Sequence, residues 1–234
     1  MAVGTLYGLG VGPGDPELIT VKAFRKLKEC PVIAYPKKMK GSKSYAQKII
    51  DIYVDSSEKN MLGLVFPMTK DVETLQTEWI KSVEKIYTHL QQGQDVAFVT
   101  EGDPMLFSTY IHLMKLMKEH HPDVPMQSIA GISSFNGTAN RLNLPLADGD
   151  DHVAMIPATD NKEDMRKVIE THDGIVFIKI AKVLDQMLDL LEEMNLLHKT
   201  HVVTKVTSDE EVIWDIETLR GTDLNYLSCM VVRK

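Results

Sequence analysis

Asp103 stands between a glycine and a proline, a few residues beyond the apolar run Val96-Ala97-Phe98-Val99. A carboxylate placed there can orient a cationic or hydroxyl-bearing ligand, or a reacting group. The same residues also suit an Asp-Pro turn that caps the following helix. Two other stretches have a similar make-up. Tyr7-Gly8-Leu9-Gly10-Val11-Gly12-Pro13-Gly14-Asp15-Pro16-Glu17-Leu18 follows an apolar strand with alternate glycines and two stiffening prolines. Glycine lets a ligand or another backbone come close, so the loop reads either as a ligand site at a strand's carboxyl end or as a tight turn that binds nothing. Ala130-Gly131-Ile132-Ser133-Ser134 places two hydroxyls after a glycine, for a polar ligand or for a plain N-cap. Lys37, Lys38, Lys40 and Lys43 make a basic loop in an acidic chain. They would collar an anionic substrate by focusing its approach, or simply remain solvated.

Several familiar chemistries are excluded by spacing. The dinucleotide fingerprint G-x-G-x-x-G fails, since the third glycine position holds Pro13 when counted from Gly8 and Asp15 when counted from Gly10. A phosphate-cradling G-x-x-x-x-G-K-[ST] is absent, as is the nucleophile elbow G-x-S-x-G. The eight histidines show neither H-E-x-x-H nor H-x-x-x-H spacing, so no metal site is expected; His120-His121, beside a proline, reads as a solvated loop. Cys30 and Cys229 lack zinc spacing and read as small buried apolar residues rather than a disulfide.

The elements that must hold these residues alternate β and α. Val3–Val11 reads as a buried strand and Glu17–Glu29 as a helix, with Leu18, Val21, Phe24 and Leu27 on one face. Val32–Tyr35 and Leu62–Phe66 are strands. Val72–Gln92 is a long helix with Leu75, Trp79, Val83, Ile86 and Leu90 at helical spacing and Gly93 beyond its end. Asp95–Thr100 is the clearest central strand, followed by a helix over Met105–Glu119. His120-His121-Pro122-Asp123 reads as a linker between domains of residues 1–121 and 122–234. After it the pattern restarts and ends in the hairpin-like strands His201–Val206, Glu211–Trp214 and Tyr226–Val232. The expected fold class is therefore α/β, with a mainly parallel first sheet and a mixed second one.

Composition narrows the partners. The chain of 234 residues is 44% hydrophobic and 25% charged, with a formal net charge of −7. That argues against nucleic acid as the main partner. No apolar run approaches the ~18 residues of a membrane span, and the N-terminus lacks a signal peptide's pattern. A cytoplasmic protein without membrane attachment is expected.

Three ordered motifs together resemble one family. Gly8-x-Gly10-x-Gly12-Pro13-Gly14-Asp15-Pro16-Glu17-Leu18-Ile19-Thr20-x-Lys22-Ala23 is similar to the opening signature of the tetrapyrrole (corrin/porphyrin) methylases. Gly102-Asp103-Pro104-x-x-Phe107-Ser108-Thr109 resembles their second signature. Ala130-Gly131-Ile132-Ser133-Ser134 resembles their third, with alanine where proline is usual. Ala34-Tyr35-Pro36, Phe107-Ser108-Thr109, Leu144-Pro145-Leu146 and Ile178-Lys179-Ile180-Ala181 look like the branch that methylates C-20 of precorrin-2 or cobalt-factor II. Phe107 replaces that branch's frequent tyrosine and Ala181 its glycine. Sister enzymes acting at another ring position or on uroporphyrinogen III are the alternative reading. A protein that binds a small molecule without catalysis is a third.

The resemblance implies a two-domain, non-Rossmann fold that binds S-adenosylmethionine as methyl donor in a cleft between the domains, and a homodimer. Leu9, Pro13, Gly102, Asp103, Leu106, Ser133 and Ser134 would contact the donor from one side. Ile180, Ala181, Val206 and Thr207 would cover the adenosine from the other, with Pro157 near that side. Asp103 is the candidate catalytic group. A polycarboxylate tetrapyrrole would meet Gly12, Lys37, Lys38 and Lys40. The glycines of the first loop would then admit the macrocycle and the donor rather than bind an anion.

Overall fold

In the computed structural model, residues 2–39, 41–67 and 71–234 are described. Two compact units divide at Ser133/Ser134. The first is built on β4 (Val96–Thr100), whose five residues are all buried. Alternation along a strand sends successive side chains to opposite faces, so β4 feeds two cores. Val96 and Phe98 join Leu6, Val32, Ala34 and Leu64 on one side, while Ala97 and Val99 join Tyr7, Leu9, Ile33 and Tyr35 on the other. A sheet covered on both faces is the usual condition of a parallel sheet. The strands β1 (Leu6–Gly10), β2 (Val32–Lys37), β3 (Asn60–Val65), β4 and β5 (Met126–Ile129) lie in the order β3-β2-β4-β1-β5. Every pairing among them is parallel, so all five carboxyl ends emerge at one edge.

The helices agree with expectation in number more than in their starts. The long helix α3 (Val72–Gln91) buries Val83, Ile86 and Leu90 completely; Asp71 caps it by accepting from Thr74 N, and Gly93 (φ +76°) follows its end. The expected helix over Glu17–Glu29 is instead a short 3-10 turn at Pro16–Leu18 and then α1 (Val21–Glu29). The break comes from Thr20, which is extended and accepts from Ala23 N. It restarts the helix in a new phase. Ala23 and Leu27 face the core, and Val21 is 82% exposed rather than on the apolar face. Helix α2 (Tyr45–Ile50) buries Ala46, Ile49 and Ile50. Helix α4 begins at Thr109 and runs to His120, four residues later than expected, because Ser108 takes the cap by accepting from Tyr110 N at 3.1 Å.

The stretch at 120–123 is not a linker. The strand after it, β5, pairs in parallel with β1 and belongs to the first sheet. His121 is not in a solvated loop either. Its ring stacks on Tyr87 with centroids 3.5 Å apart, and its Nε2 lies 2.8 Å from Glu84 Oε1. The boundary at residue 121/122 therefore moves to Ser133/Ser134.

The second unit carries α5 (Ser134–Leu142), β6 (Val153–Pro157), α6 (Lys162–Thr171), β7 (Gly174–Ile178), α7 (Leu184–Glu193), β8 (Thr200–Thr204), β9 (Val212–Trp214) and β10 (Ser228–Arg233). Its sheet order is β6-β7-β10-β8-β9. The β6–β7 pair is parallel and the other three are antiparallel, a mixed sheet as expected. Ile175, Phe177, Val202, Met230 and Val232 pack with α6 and α7 on one face. Val176, Cys229 and Val231 pack with Phe135 of α5 on the other. Both cysteines are buried free thiols, and burial pushes Cys30 up to about 12 and Cys229 upward.

Candidate active site

The carboxyl edge of the parallel sheet gathers all three glycine-bearing loops of the first unit. Gly12 and Gly102 form an antiparallel bridge in which Gly102 N donates to Gly12 O at 2.8 Å. Val11 N donates to Thr100 O at 3.0 Å. Asp103 Oδ2 accepts from Gly131 N at 3.0 Å, and Thr20 Oγ1 donates to Ala130 O at 3.2 Å. Segments some ninety residues apart in sequence are thus stitched main chain to main chain, and the third loop is tied on by a carboxylate and a hydroxyl.

The glycines exist for this stitching. A Cβ on Gly10 would lie 2.6 Å from both Gly102 O and Gly131 N; one on Gly131 would lie 2.2 Å from Gly102 O. At Gly8 the obstacle is the Tyr110 ring, 2.3 Å away. Gly12 and Gly102 adopt φ of +88° and +68°, a region that side chains disfavour. The expectation that these glycines admit the ligand is corrected at Gly8 and Gly10, where the space is filled by the protein itself.

Asp103 does not cap α4. Its Oδ1 accepts from Met105 N at 2.8 Å and its Oδ2 from Gly131 N. The carboxylate therefore closes its own turn and clamps the third loop to the second. Hydrogen bonds to a charged group contribute about 1.5–3 kcal/mol each, so the geometry makes Asp103 a positioning residue first. Within the second loop, buried Thr100 and Ser108 join hydroxyl to hydroxyl at 3.0 Å. Met105, Leu106 and Phe107 project outward, 50%, 38% and 50% exposed, and Phe107 holds φ +52°.

Other expected residues fall less simply. Leu9 is wholly buried in the core beneath the sheet, so only its main chain could meet a ligand; Ile180 is likewise buried in the second unit's core. Pro13 and Ser133 are buried, and Ser134 is half-buried. Cys229 Sγ lies 3.5 Å from Ser134 Oγ. Ala181 lines a 380 Å³ surface pocket together with Lys182, Asp185 and Thr222. Lys37 ends β2 with its stem against Gly63 and its ammonium 5.4 Å from the Tyr35 ring, whereas Lys38 is exposed. Lys40 lies outside the described residues.

Backbone strain marks the same stretches. Lys179 (φ +59°) precedes Ile180-Ala181, and Lys205 (φ +47°) and Thr207 (φ +66°) bracket Val206. Glu211 holds the last of these in place: its Oε2 accepts from Thr207 N at 2.8 Å and its Oε1 from Arg141 Nε at 2.5 Å. Left-handed geometry costs a side-chain-bearing residue about 1–2 kcal/mol, and such strain tends to gather at ligand sites. Exposed Lys179 has no side-chain capping bond. Lys179→Gly should therefore gain about 0.5–1 kcal/mol, after glycine's own entropy cost, visible as a melting temperature a few degrees higher; an unchanged or lower value would mean the strain is absent.

One charged group was passed over in the sequence. Glu101 directly follows the all-buried β4 and is half-buried. Desolvation lifts its carboxyl above the usual range, while the Lys38 charge opposes the shift. The signal lies in the sequence, a carboxylate immediately after a central apolar strand. Among the described residues no cluster of three metal-ligating side chains occurs, and no helix is long and apolar enough to cross a membrane.

A parallel sheet whose carboxyl edge carries small-residue loops is the arrangement in which open α/β proteins commonly bind small molecules. Residues 5–220 match the Tetrapyrrole (Corrin/Porphyrin) Methylases, and the chain belongs to that family. It is 36% identical over 232 residues to a Methanocaldococcus jannaschii protein named "Probable cobalt-precorrin-2 C(20)-methyltransferase", covering 98% of this chain and 96% of that one. It is 30% identical over 233 residues to the cobalt-precorrin-2 C(20)-methyltransferase of Salmonella typhimurium, covering 99% and 97%. Its fold is shared with a solved uroporphyrin-III C-methyl transferase from Thermus thermophilus, complexed with S-adenyl homocysteine. That likeness has a TM-score of 0.69 and 18% identity, over 99% of this chain and 98% of the other.

Proposed function

We propose that this chain is an S-adenosylmethionine-dependent methyltransferase that methylates C-20 of the precorrin-2 skeleton, metal-free or with cobalt bound, in cobalamin biosynthesis. The observation that carries this reading is the full-length kinship with proteins named for that reaction, joined to a first unit whose three family motifs close into one knot at the sheet edge. The loops suit a methyl donor with a bulky nucleoside. They offer main-chain groups, the hydroxyls of Ser133 and Ser134, and the apolar Leu106, with no lysine cradle for phosphate.

A sulfonium is a good leaving group and an electron-rich meso carbon is a nucleophile. The protein's task is to hold carbon, methyl and sulfur in line, which is worth ~7–11 kcal/mol. Asp103 serves by fixing the two loops that frame this geometry. Incubation with methyl-labelled S-adenosylmethionine and either tetrapyrrole should place the label on C-20. Label at another ring carbon would favour the sister-enzyme reading, and binding of donor without transfer would favour the non-catalytic one. The protein should sediment as a homodimer of twice 26.3 kDa.

Lys37 and Lys38 are assigned to the substrate's carboxylates. The double variant Lys37→Met, Lys38→Met should raise KM about tenfold and flatten its dependence on salt. An unchanged KM with an unchanged salt slope would return both lysines to the solvent.

A further inference from the structure

Glu101 occupies the carboxyl edge of the parallel sheet at its middle strand, with β2 and β1 as the neighbours of β4. The basic stretch Lys37-Lys38 emerges from β2 and the glycine loop from β1. Two other carboxylates of this edge, Asp103 and Asp15, are committed. Asp103 holds Met105 N and Gly131 N, and Asp15 Oδ1 holds Glu17 N at 2.8 Å. Glu101 is different. The hydrogen bond to its carboxylate comes from its own main-chain N–H, and among the described residues no side chain hydrogen-bonds or ion-pairs that carboxylate. Lys38 is the charged group that faces it. A carboxylate partly withdrawn from water, with no donor beyond its own main-chain N–H, is costly to keep for stability alone. It is suited to accept a proton from a ligand that arrives at the same edge.

We propose that Glu101 is the catalytic group that removes the meso proton after methyl transfer. The inference rests on the C-methyltransferase reading. In the first step the π electrons of C-20 form the new C–C bond, the S–CH₃ bond breaks, and its electron pair stays on sulfur as a neutral thioether. C-20 then carries both hydrogen and methyl. In the second step the C–H bond breaks, its electron pair returns to the macrocycle, and the proton goes to the Glu101 carboxylate and onward to water. No oxidant or reductant is consumed. Desolvation makes the carboxylate a stronger base than one in water, and the Lys38 charge works against that shift.

The test uses the full chain with methyl-labelled S-adenosylmethionine and substrate carrying deuterium at C-20. Glu101→Gln should lower kcat about 10²–10³-fold, the usual size of proton-transfer assistance, with donor affinity by calorimetry unchanged. A primary isotope effect should appear that the wild type does not show. Formate should partly restore turnover to Glu101→Ala. The wild-type kcat should fall as pH drops through the Glu101 carboxyl, above the ordinary glutamate range. Lys38→Met should move that limb to higher pH, since a charge favouring the ionised form is gone. Turnover of Glu101→Gln within about threefold of wild type overturns the proposal. So does a loss that tracks donor affinity and melting temperature and is not rescued by formate, because that is the signature of a structural role. A wild type that labels no tetrapyrrole at any position instead overturns the methyltransferase reading on which the inference stands.

Discussion

Gly10→Ala and Gly131→Ala should each destroy methyl transfer, with Gly131→Ala the more severe. The added methyl would meet main-chain atoms at 2.6 Å in the first case and 2.2 Å in the second. A flexible side chain could yield at such distances, but a backbone already held by Gly102 N→Gly12 O and Gly131 N→Asp103 Oδ2 cannot do so without moving a loop. Overpacking of this kind costs about 1–3 kcal/mol, and misplacing reacting groups by about 1 Å can slow a reaction ~10²-fold. Single-turnover methyl transfer and thermal melting would measure both effects. Gly149→Ala is the control for a methyl added without a clash, because nothing lies within 4 Å of the added carbon, although Gly149 itself has a positive φ of +55°. It should lose about 1 kcal/mol from backbone strain and keep full activity. Near-normal transfer by Gly10→Ala would mean that the three loops are not packed as described.

Asp103 separates positioning from proton transfer through a pair of substitutions. Its two oxygens serve two different N–H groups, Met105 and Gly131. Asp103→Asn keeps one neutral acceptor and loses the other, so it should destabilise the protein by about 1–2 kcal/mol. Asp103→Ala loses both and should cost about 2–4 kcal/mol. If the carboxylate works by clamping loops, activity and donor affinity will follow that order, with the asparagine variant clearly more active than the alanine one. If Asp103 handles the meso proton itself, both variants will be equally inactive with intact donor binding, and Glu101→Gln will be active. Unchanged turnover and donor affinity in Asp103→Ala would remove it from the site altogether. The two carboxylates sit two residues apart in sequence and have opposite environments. Asp103 has its hydrogen bonds satisfied from outside its own residue; Glu101 has no such donor among the described residues.

Much of the fold is written in local pattern. The all-apolar Val96–Val99 segment, the 3.6-residue spacing of Val83, Ile86 and Leu90, and the alternation of strands with helices are short-range signals, and each became the expected element. Errors came where two local signals competed. Thr20 and Ser108 are caps that outbid an otherwise continuous helical pattern, shifting two helix starts and turning Val21 to solvent. The supposed linker at His120–Asp123 failed because a polar, proline-bearing segment looks alike whether it separates domains or merely crosses to another strand. Only the pairing of β5 with β1 distinguishes them.

The sequence by itself determined the family, the fold class and which three loops matter, because family motifs and hydrophobic period are properties of neighbouring residues. It could not say what the glycines and Asp103 are for. Gly131 is one of the two obstacles to a side chain at Gly10, and its N–H is a partner of Asp103, contacts that span 121 and 28 positions of the chain. Nor could it show that Glu101 lacks an external donor while Asp103 has one, since desolvation depends on what the fold brings alongside. That distinction is made by the tertiary structure alone, at the carboxyl edge of five parallel strands.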